Sequence, residues 1–196
     1  MPHFFQIFKE TLQIFSFFIL ILLPSAADSG SSSYKKILKK GTHSDTVYRS
    51  RDFHAEILWS ATWLNDAVLN AQAGWYAKVY DVSDSEKENF LDELIKKRGD
   101  SVLFFISFYN YDRHFDDLTN PRAKWDVRFQ AGGLDFRPLR MEKVNRATPL
   151  ERLFYPYLNS WSRGYYVWFP VEAVNYSSPH ALSIHGPFAS SELVWK

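Results

Sequence analysis

The stretch Val102-Leu103-Phe104-Phe105-Ile106-Ser107-Phe108-Tyr109 is a nearly continuous apolar run rich in residues that favour β-structure. A strand with one face in water alternates polar and apolar residues, whereas a strand covered on both faces is apolar along its length. The run therefore predicts a central strand buried on both faces, around which the rest of the chain is arranged.

Upstream of this strand, the chain shows a strand followed by two helices. Apolar residues occupy nearly every second position over 53–63, which is the period of a half-buried strand, and helical spacing follows up to about Val79. Ser83 and Glu86 form a capping box at the start of a second helix. Basic residues in the last turn and then Gly99 indicate where this helix ends.

Downstream, the pattern is that of sheet. Further short strands are predicted at 125–131, 136–144, 164–171, 182–185 and 193–195. Gly132-Gly133 offers a hairpin turn, and Gly186-Pro187 lies in a second hairpin at the end of the chain. Pro138 cannot donate a ladder hydrogen bond, so the strand that contains it is expected at a sheet edge or bulged.

The order of these elements predicts a mainly β fold. We expect an antiparallel β-sandwich of about seven strands, with a two-helix insertion after the first strand, since a parallel α/β sheet would need helices between most strands. A chain of 196 residues suits one domain, which we assign to 46–196. Trp195 is expected to pack into its core.

The first 27 residues read as a signal peptide. Ile14 to Leu23 is an apolar segment too short for a membrane span and of the length of a signal-peptide core. Ser25-Ala26-Ala27 supplies the small residues that signal peptidase recognises, which predicts cleavage before Asp28. Lys9 is the only Lys or Arg before the core, so an uncleaved membrane anchor and a buried helix remain as alternatives.

Residues 28–45 are predicted to be a flexible basic linker. A Ser/Gly tether is followed by Tyr34 to Lys40, which holds four lysines around two aliphatic residues. Such a segment is most simply solvated, although it could contact anionic headgroups. Membrane association is therefore expected only through an uncleaved leader or through Lys35 to Lys40.

Composition excludes several classes of function. Lys and Arg total 23 and Asp and Glu total 22, so the overall charge gives no reason to bind nucleic acid. The sequence has no cysteine, which excludes disulfides, thiol catalysis, thiolate metal sites and a lipidated N-terminal cysteine.

The densest polar cluster follows the central strand directly. It contains Asp112, Arg113, His114, Asp116 and Asp117. Loops that leave a rigid strand often carry function, so these residues are a candidate interaction surface. The same acids could instead stabilise a turn by accepting hydrogen bonds from the backbone, or could offer oxygen ligands to calcium, although their spacing matches no established calcium loop.

A second candidate surface lies in an aromatic segment from Tyr155 to Arg163. Its members include Tyr155, Tyr157, Trp161 and Arg163, with Tyr165, Tyr166 and Trp168 close behind. Exposed aromatic rings can stack on sugars or anchor a protein partner, whereas buried ones only fill a core. Trp161 and Arg163 are the members that we assign to a candidate interaction surface.

No catalytic pattern is present. The sequence has no Gly-x-Ser-x-Gly elbow, and Asp112 with His114 lacks an identifiable serine nucleophile. His180 and His185 differ in sequence parity and would project to opposite faces of one strand. We therefore predict no enzyme activity, no cofactor and no metal site.

Several landmarks resemble a group of poorly characterised bacterial envelope proteins, many of which are predicted lipoproteins. The matching landmarks are Ser60 to Leu64, Tyr109 to Leu118, Trp125, Pro138-Leu139, Thr148-Pro149, Tyr155 to Tyr157, Trp161 to Arg163 and Tyr166 to Pro170. The resemblance implies a β-sandwich-like fold and an envelope location. It transfers no functional residue, and the chain lacks the lipid-bearing cysteine of those lipoproteins.

These observations predict an exported, non-enzymatic protein of the periplasm or cell exterior that binds a macromolecular partner, such as an envelope protein or a glycan. The alternative is a carbohydrate- or calcium-binding module.

Overall fold

The computed structural model describes residues 29–48, 55–145, 147–170, 179–187 and 189–196. The predicted signal peptide lies outside these residues. The helices are α1 Ser29–Gly41, α2 Asp66–Tyr80, α3 Asp84–Arg98 and α4 Pro149–Phe154, with a 3-10 turn at Pro121–Ala123. The strands are β1 Thr42–Tyr48, β2 Ala55–Trp63, β3 Ser101–Asn110, β4 Asp126–Ala131, β5 Leu134–Phe136, β6 Arg140–Val144, β7 Arg163–Pro170, β8 His180–His185 and β9 Ser190–Trp195.

The strands form two antiparallel sheets. One has five strands in the order β1-β2-β3-β7-β6, and the other has four in the order β5-β4-β8-β9. β3 is the middle strand of the larger sheet, as its apolar run predicts. The prediction of a mainly β, antiparallel fold is confirmed at this level.

One face of the larger sheet shares a core with the smaller sheet. Phe104 of β3 packs against Phe129 of β4, with ring centroids 5.5 Å apart, and against Trp195 of β9, at 5.2 Å. Trp195 is buried, as predicted, and its indole N–H donates to the carbonyl of Gly41. This contact fastens the last strand to the start of β1.

The other face of the larger sheet is covered by helices over part of its area. Phe105 of β3 stacks on Tyr155 with a centroid distance of 3.6 Å, and Leu103 lies in the same apolar cluster as Leu69 of α2 and Phe154 of α4. The central strand is therefore apolar on both sides because each side packs against a different layer.

Local sequence signals place α2 and α3 correctly. Asn65 caps α2 by accepting from the Val68 amide, and both halves of the Ser83 and Glu86 capping box are present at the start of α3. Gly99 ends α3 with φ of 60°, a conformation that costs glycine least. These helices follow the second strand and not the first, because β1 precedes the strand that the sequence pattern places first.

The prediction of a flexible linker over 28–45 is wrong. Residues 29–41 form α1, and β1 begins at Thr42 and pairs with β2. Tyr34 and Leu38, one helical turn apart, are buried, and the Tyr34 hydroxyl donates to the Phe154 carbonyl at 2.7 Å. The lysines of Lys35 to Lys40 all point to solvent, and their number conceals this short apolar stripe.

The single strand predicted over 136–144 is also corrected. Gly132 and Gly133 make the hairpin turn as expected, with φ of 57° and 79°. β5 then joins the smaller sheet and β6 the larger one, and Pro138 lies in the crossing between them. Each piece is an edge strand, which agrees with the restriction that proline imposes. With β1, the described residues therefore contain nine strands instead of about seven.

Among the described residues, none of the helices has the length and apolarity needed to cross a membrane.

Candidate functional site

The acidic loop after β3 is organised around a buried carboxylate. Asp116 is 3% exposed, and its Oδ2 accepts from Arg163 Nη2 at 2.7 Å and from Arg113 Nη1 at 3.3 Å. Arg163 comes from the start of β7, so the fold brings together residues of the two predicted surfaces. A buried carboxylate needs such partners because an unpaired charge is costly away from water.

Asp117 is paired in a second direction. Its Oδ2 accepts from Lys143 Nζ of β6 at 2.6 Å, and its Oδ1 accepts from the Thr119 hydroxyl and from the Tyr165 hydroxyl at 3.1 Å. Burial by itself would raise the pKa of Asp117, but the hydrogen bonds from Lys143 and Thr119 outweigh it and bring the pKa to about 2. This carboxylate is ionised at neutral pH and already neutralised by a lysine.

Asp112 and His114 form the exposed tip of the loop. Asp112 Oδ1 accepts from the His114 backbone amide and contacts its Nδ1, each at 2.9 Å, and the first of these bonds lowers the pKa of Asp112 most. The His114 side chain is 89% exposed. The loop acids are thus engaged by backbone amides and basic side chains, as in the structural-turn interpretation. Over the described ranges, no group of three or more acids and histidines could hold a metal ion.

The two histidines of β8 lie on different sides of their strand, as their parity predicts. His180 is buried and stacks near Phe129, with centroids 5.9 Å apart, while His185 is exposed. They do not converge on a common site.

In the aromatic segment from Tyr155 to Arg163, two tyrosine rings pack against the sheet and the Trp161 ring is exposed. Tyr155 is buried under α2 and accepts from Gln72 Nε2 at 3.1 Å, and Tyr157 contacts the Thr62 hydroxyl. Trp161 is 66% exposed. Its position is fixed by Asn159, whose Oδ1 accepts from the amides of Trp161 and Ser162 at 2.9 Å each.

Trp161 stands beside a groove of about 620 Å³ on the outer face of β1, β2 and β3. The groove is the part of this face that the helices leave uncovered. Large apolar or aromatic side chains in its lining include the exposed Leu58, Tyr111 and Trp161 and the half-buried Tyr109. We refer to it below as the Trp161 groove.

The floor of the Trp161 groove is a row of serine hydroxyls. Ser44, Ser60 and Ser107 are directly opposite one another across β1, β2 and β3. Ser44 Oγ donates to Ser60 Oγ at 2.7 Å, and Ser107 Oγ donates to Ser162 Oγ at 2.9 Å. The arrangement gives a polar floor beneath aromatic walls.

The sequence pattern carries two signals of this groove. Leu58 is the one apolar residue that breaks the alternation of β2, and Ser107 interrupts the apolar run of β3; both line the groove. Ser44 has no such signal, because it lies in the part of β1 that overlaps the linker predicted over 28–45. Leu58 is paired with Tyr109 and Ser107 with Ser60, so the two exceptions are diagonal neighbours on one face of the sheet. An apolar residue in a polar register, diagonal to a polar residue in an apolar register, is the sequence signal of the site.

The predicted site residues therefore separate into two groups. Asp112, Arg113, His114, Asp116, Asp117 and Arg163 form the paired loop network, whereas Trp161 faces the groove. The two are neighbours along the chain, since Ser162 of the groove precedes Arg163 of the network.

No family model and no curated protein matches the chain. Among solved structures it is similar to a novel protein of unknown function from Burkholderia pseudomallei K96243, with 9% sequence identity and a TM-score of 0.42. The match covers 84% of this chain and 82% of that chain. No functional residue is transferred from it.

Proposed function

We propose that the protein is an exported, non-enzymatic binding protein of the bacterial envelope or cell exterior, and that its partner occupies the Trp161 groove. The observation that carries the proposal is the exposure of Trp161, 66%, beside a groove of about 620 Å³. A tryptophan held this far into water at a concave surface is typical of a recognition residue. The volume falls in the range of ligand-binding clefts.

The Asp112 to Asn120 loop has a supporting role in this proposal. Its acids are tied to Arg163, Lys143 and backbone amides, so they fix the position of the segment that carries Trp161. We further propose that the two sheets form a β-sandwich, which agrees with the shared core of Phe104 and Phe129. The leader and the resemblance to envelope proteins support the location.

A retention experiment tests the binding proposal. Immobilised protein is incubated with envelope extract from the cells that produce it, and Trp161→Ala is compared with Tyr80→Ala, an exposed aromatic residue at the end of α2. We expect Trp161→Ala to lose the retained material and Tyr80→Ala to keep it. Equal retention by all three proteins would reject the Trp161 groove as the binding surface.

Export is tested separately. The N-terminal residue of the protein recovered from the periplasm and medium is expected to be Asp28. Recovery of a chain that starts at Met1 in the membrane fraction would contradict cleavage and favour the anchored alternative.

A further inference from the structure

We infer that the occupant of the Trp161 groove is an uncharged glycan chain, bound with its sugar rings on Trp161 and its hydroxyls over the serine floor. The inference rests on the proposed function, since it names the partner of the same groove. A peptide is the competing occupant, and the two differ in the chemistry they require.

The walls of the groove suit the faces of sugar rings. A pyranose has one face formed mainly by C–H groups, which packs against the electron-rich face of an aromatic ring. Trp161 offers such a surface in water, and Tyr109 and Tyr111 lie in the same lining. Asn159 accepts from the backbone amides of Trp161 and Ser162, so the backbone that carries the ring is positioned before a ligand arrives.

The floor of the groove suits sugar hydroxyls. A serine hydroxyl has one donor and two acceptor positions, so one internal bond leaves further hydrogen-bonding capacity. Ser44 is exposed and Ser60 is half-buried, and they share one hydrogen bond, so their hydroxyls can reach a ligand. Ser107 is buried and donates to Ser162 Oγ at the edge of the groove. A row of small hydroxyls also leaves space above it, which large polar side chains would fill.

The charge of the lining argues against an anionic occupant. None of the described lining residues is Lys, Arg or His, and the one carboxylate, Asp45, accepts from the Ser191 hydroxyl. Nucleic acids and acidic polysaccharides need cationic partners that these residues do not provide. In the floor of the groove, β2 and β3 are hydrogen-bonded to a neighbouring strand on both sides, so a peptide strand could pair only along β1, the edge strand of this sheet.

The first test uses a panel of neutral oligosaccharides built from glucose, mannose, xylose or N-acetylglucosamine, with an acidic polymer of galacturonic acid as the comparison. Binding is followed by tryptophan fluorescence and calorimetry. We expect at least one neutral chain to bind and the acidic polymer not to bind. Trp161→Ala should weaken the neutral chain by about tenfold or more.

A second variant blocks the groove without changing Trp161. Ser60 is the middle of the serine row, and Ser60→Leu places an apolar side chain above the floor. We expect this variant to lose glycan binding while its thermal unfolding stays close to that of the parent protein, whereas Tyr80→Ala should bind like the parent.

A third test uses the envelope material that the parent protein retains and Trp161→Ala does not. This test does not depend on the choice of sugars. If the occupant is a glycan, retention survives protease treatment of the extract and is lost when glycosidases digest the extract. Retention that protease abolishes and glycosidases spare would overturn the glycan inference and leave the groove as a peptide-binding site. Equal retention by the parent protein and by Trp161→Ala would overturn both proposals.

Discussion

Asp116 links the two halves of the polar network at the end of the central strand. Arg113 approaches it from its own loop and Arg163 from β7, while its own side chain is 5% exposed. Removing one member of such a pair leaves a charge without its partner, and this is more costly than the pair is worth. The network is therefore expected to contribute to stability and to the placement of the Trp161 segment.

We predict that Asp116→Ala lowers the free energy of unfolding by about 3 kcal/mol, because Arg163 loses its carboxylate partner in a partly buried position. Asp112→Ala serves as the control, since its partner His114 is exposed, and should cost clearly less than Asp116→Ala. Urea unfolding of the two variants measures both values. Equal costs would show that the buried position of Asp116 gives no added stability.

The lowered pKa of Asp117 predicts that the free energy of unfolding falls at acid pH. Its pKa is about 2 in the folded protein against an ordinary value of 3.8. The unfolded chain therefore binds more protons between these values, so the stabilisation is fully present above pH 3.8 and is lost as the pH falls toward 2. We expect Asp117→Asn to flatten this part of the profile of unfolding free energy against pH. A profile identical to that of the parent protein would contradict the assignment.

At the scale of elements, α1 is the clearest difference between expectation and structure. Four lysines in a short stretch are typical of a solvated segment, yet the helix has a narrow apolar stripe made by Tyr34 and Leu38. Tyr34 stacks on Trp75 of α2 with centroids 6.0 Å apart. These two buried residues pack the helix against the rest of the protein. The sequence pattern does not predict this packing, because the partner surface on α2 is distant in sequence.

We predict that Leu38→Ala lowers the free energy of unfolding by about 2 to 3 kcal/mol, as expected for a buried leucine. Lys36→Ala, on the exposed side of the same helix, should leave it unchanged within about 0.5 kcal/mol. Thermal and urea unfolding provide the measurement. No effect of Leu38→Ala would mean that 28–45 behaves as the flexible linker that composition suggests.

The division of 136–144 into β5 and β6 shows a second limit of local patterns. Pro138 correctly indicates an edge strand, but the residues on its two sides pair with different sheets. Alternation specifies which face of a strand is buried and says nothing about which neighbour it will join. The chain therefore passes from one sheet to the other at Pro138, because β5 and β6 are edge strands of different sheets.

At the scale of the whole molecule, the two sheets are tied together at the end of the chain. Trp195 contacts Phe104 and the ring of His43, and it donates to Gly41. One side chain thus joins β9 of the smaller sheet to β1 and β3 of the larger one. Loss of this side chain should affect both sheets together.

We predict that Trp195→Ala lowers the free energy of unfolding by about 3 to 5 kcal/mol and leaves a single cooperative transition. Deletion of Lys196, the exposed neighbouring residue, is the control and should have no measurable effect. Near-ultraviolet and far-ultraviolet circular dichroism should show coincident transitions. Separate transitions for the two probes would show that the sheets unfold independently.

The whole molecule also determines where a ligand can lie. The helices cover the outer face of the larger sheet over Leu103 and Phe105 and end before Ser107, so the remaining part of the face becomes the Trp161 groove. The serine floor and the exposed Trp161 ring lie together because the helices end at the point on β3 where apolar residues give way to Ser107. The groove is therefore formed jointly by β1, β2, β3 and the loop that carries Trp161.

By itself, the sequence determined the features that depend on near neighbours: the buried central strand, the two capped helices, the hairpins at Gly132-Gly133 and Gly186-Pro187, and the burial of Trp195. Period, capping and turn chemistry act over a few residues, so they can be interpreted along the chain. The tertiary structure alone decided the packing of α1, the pairing of Asp116 with Arg163 and the serine row. These join residues far apart in sequence, and their contacts exist only once the sheets have formed.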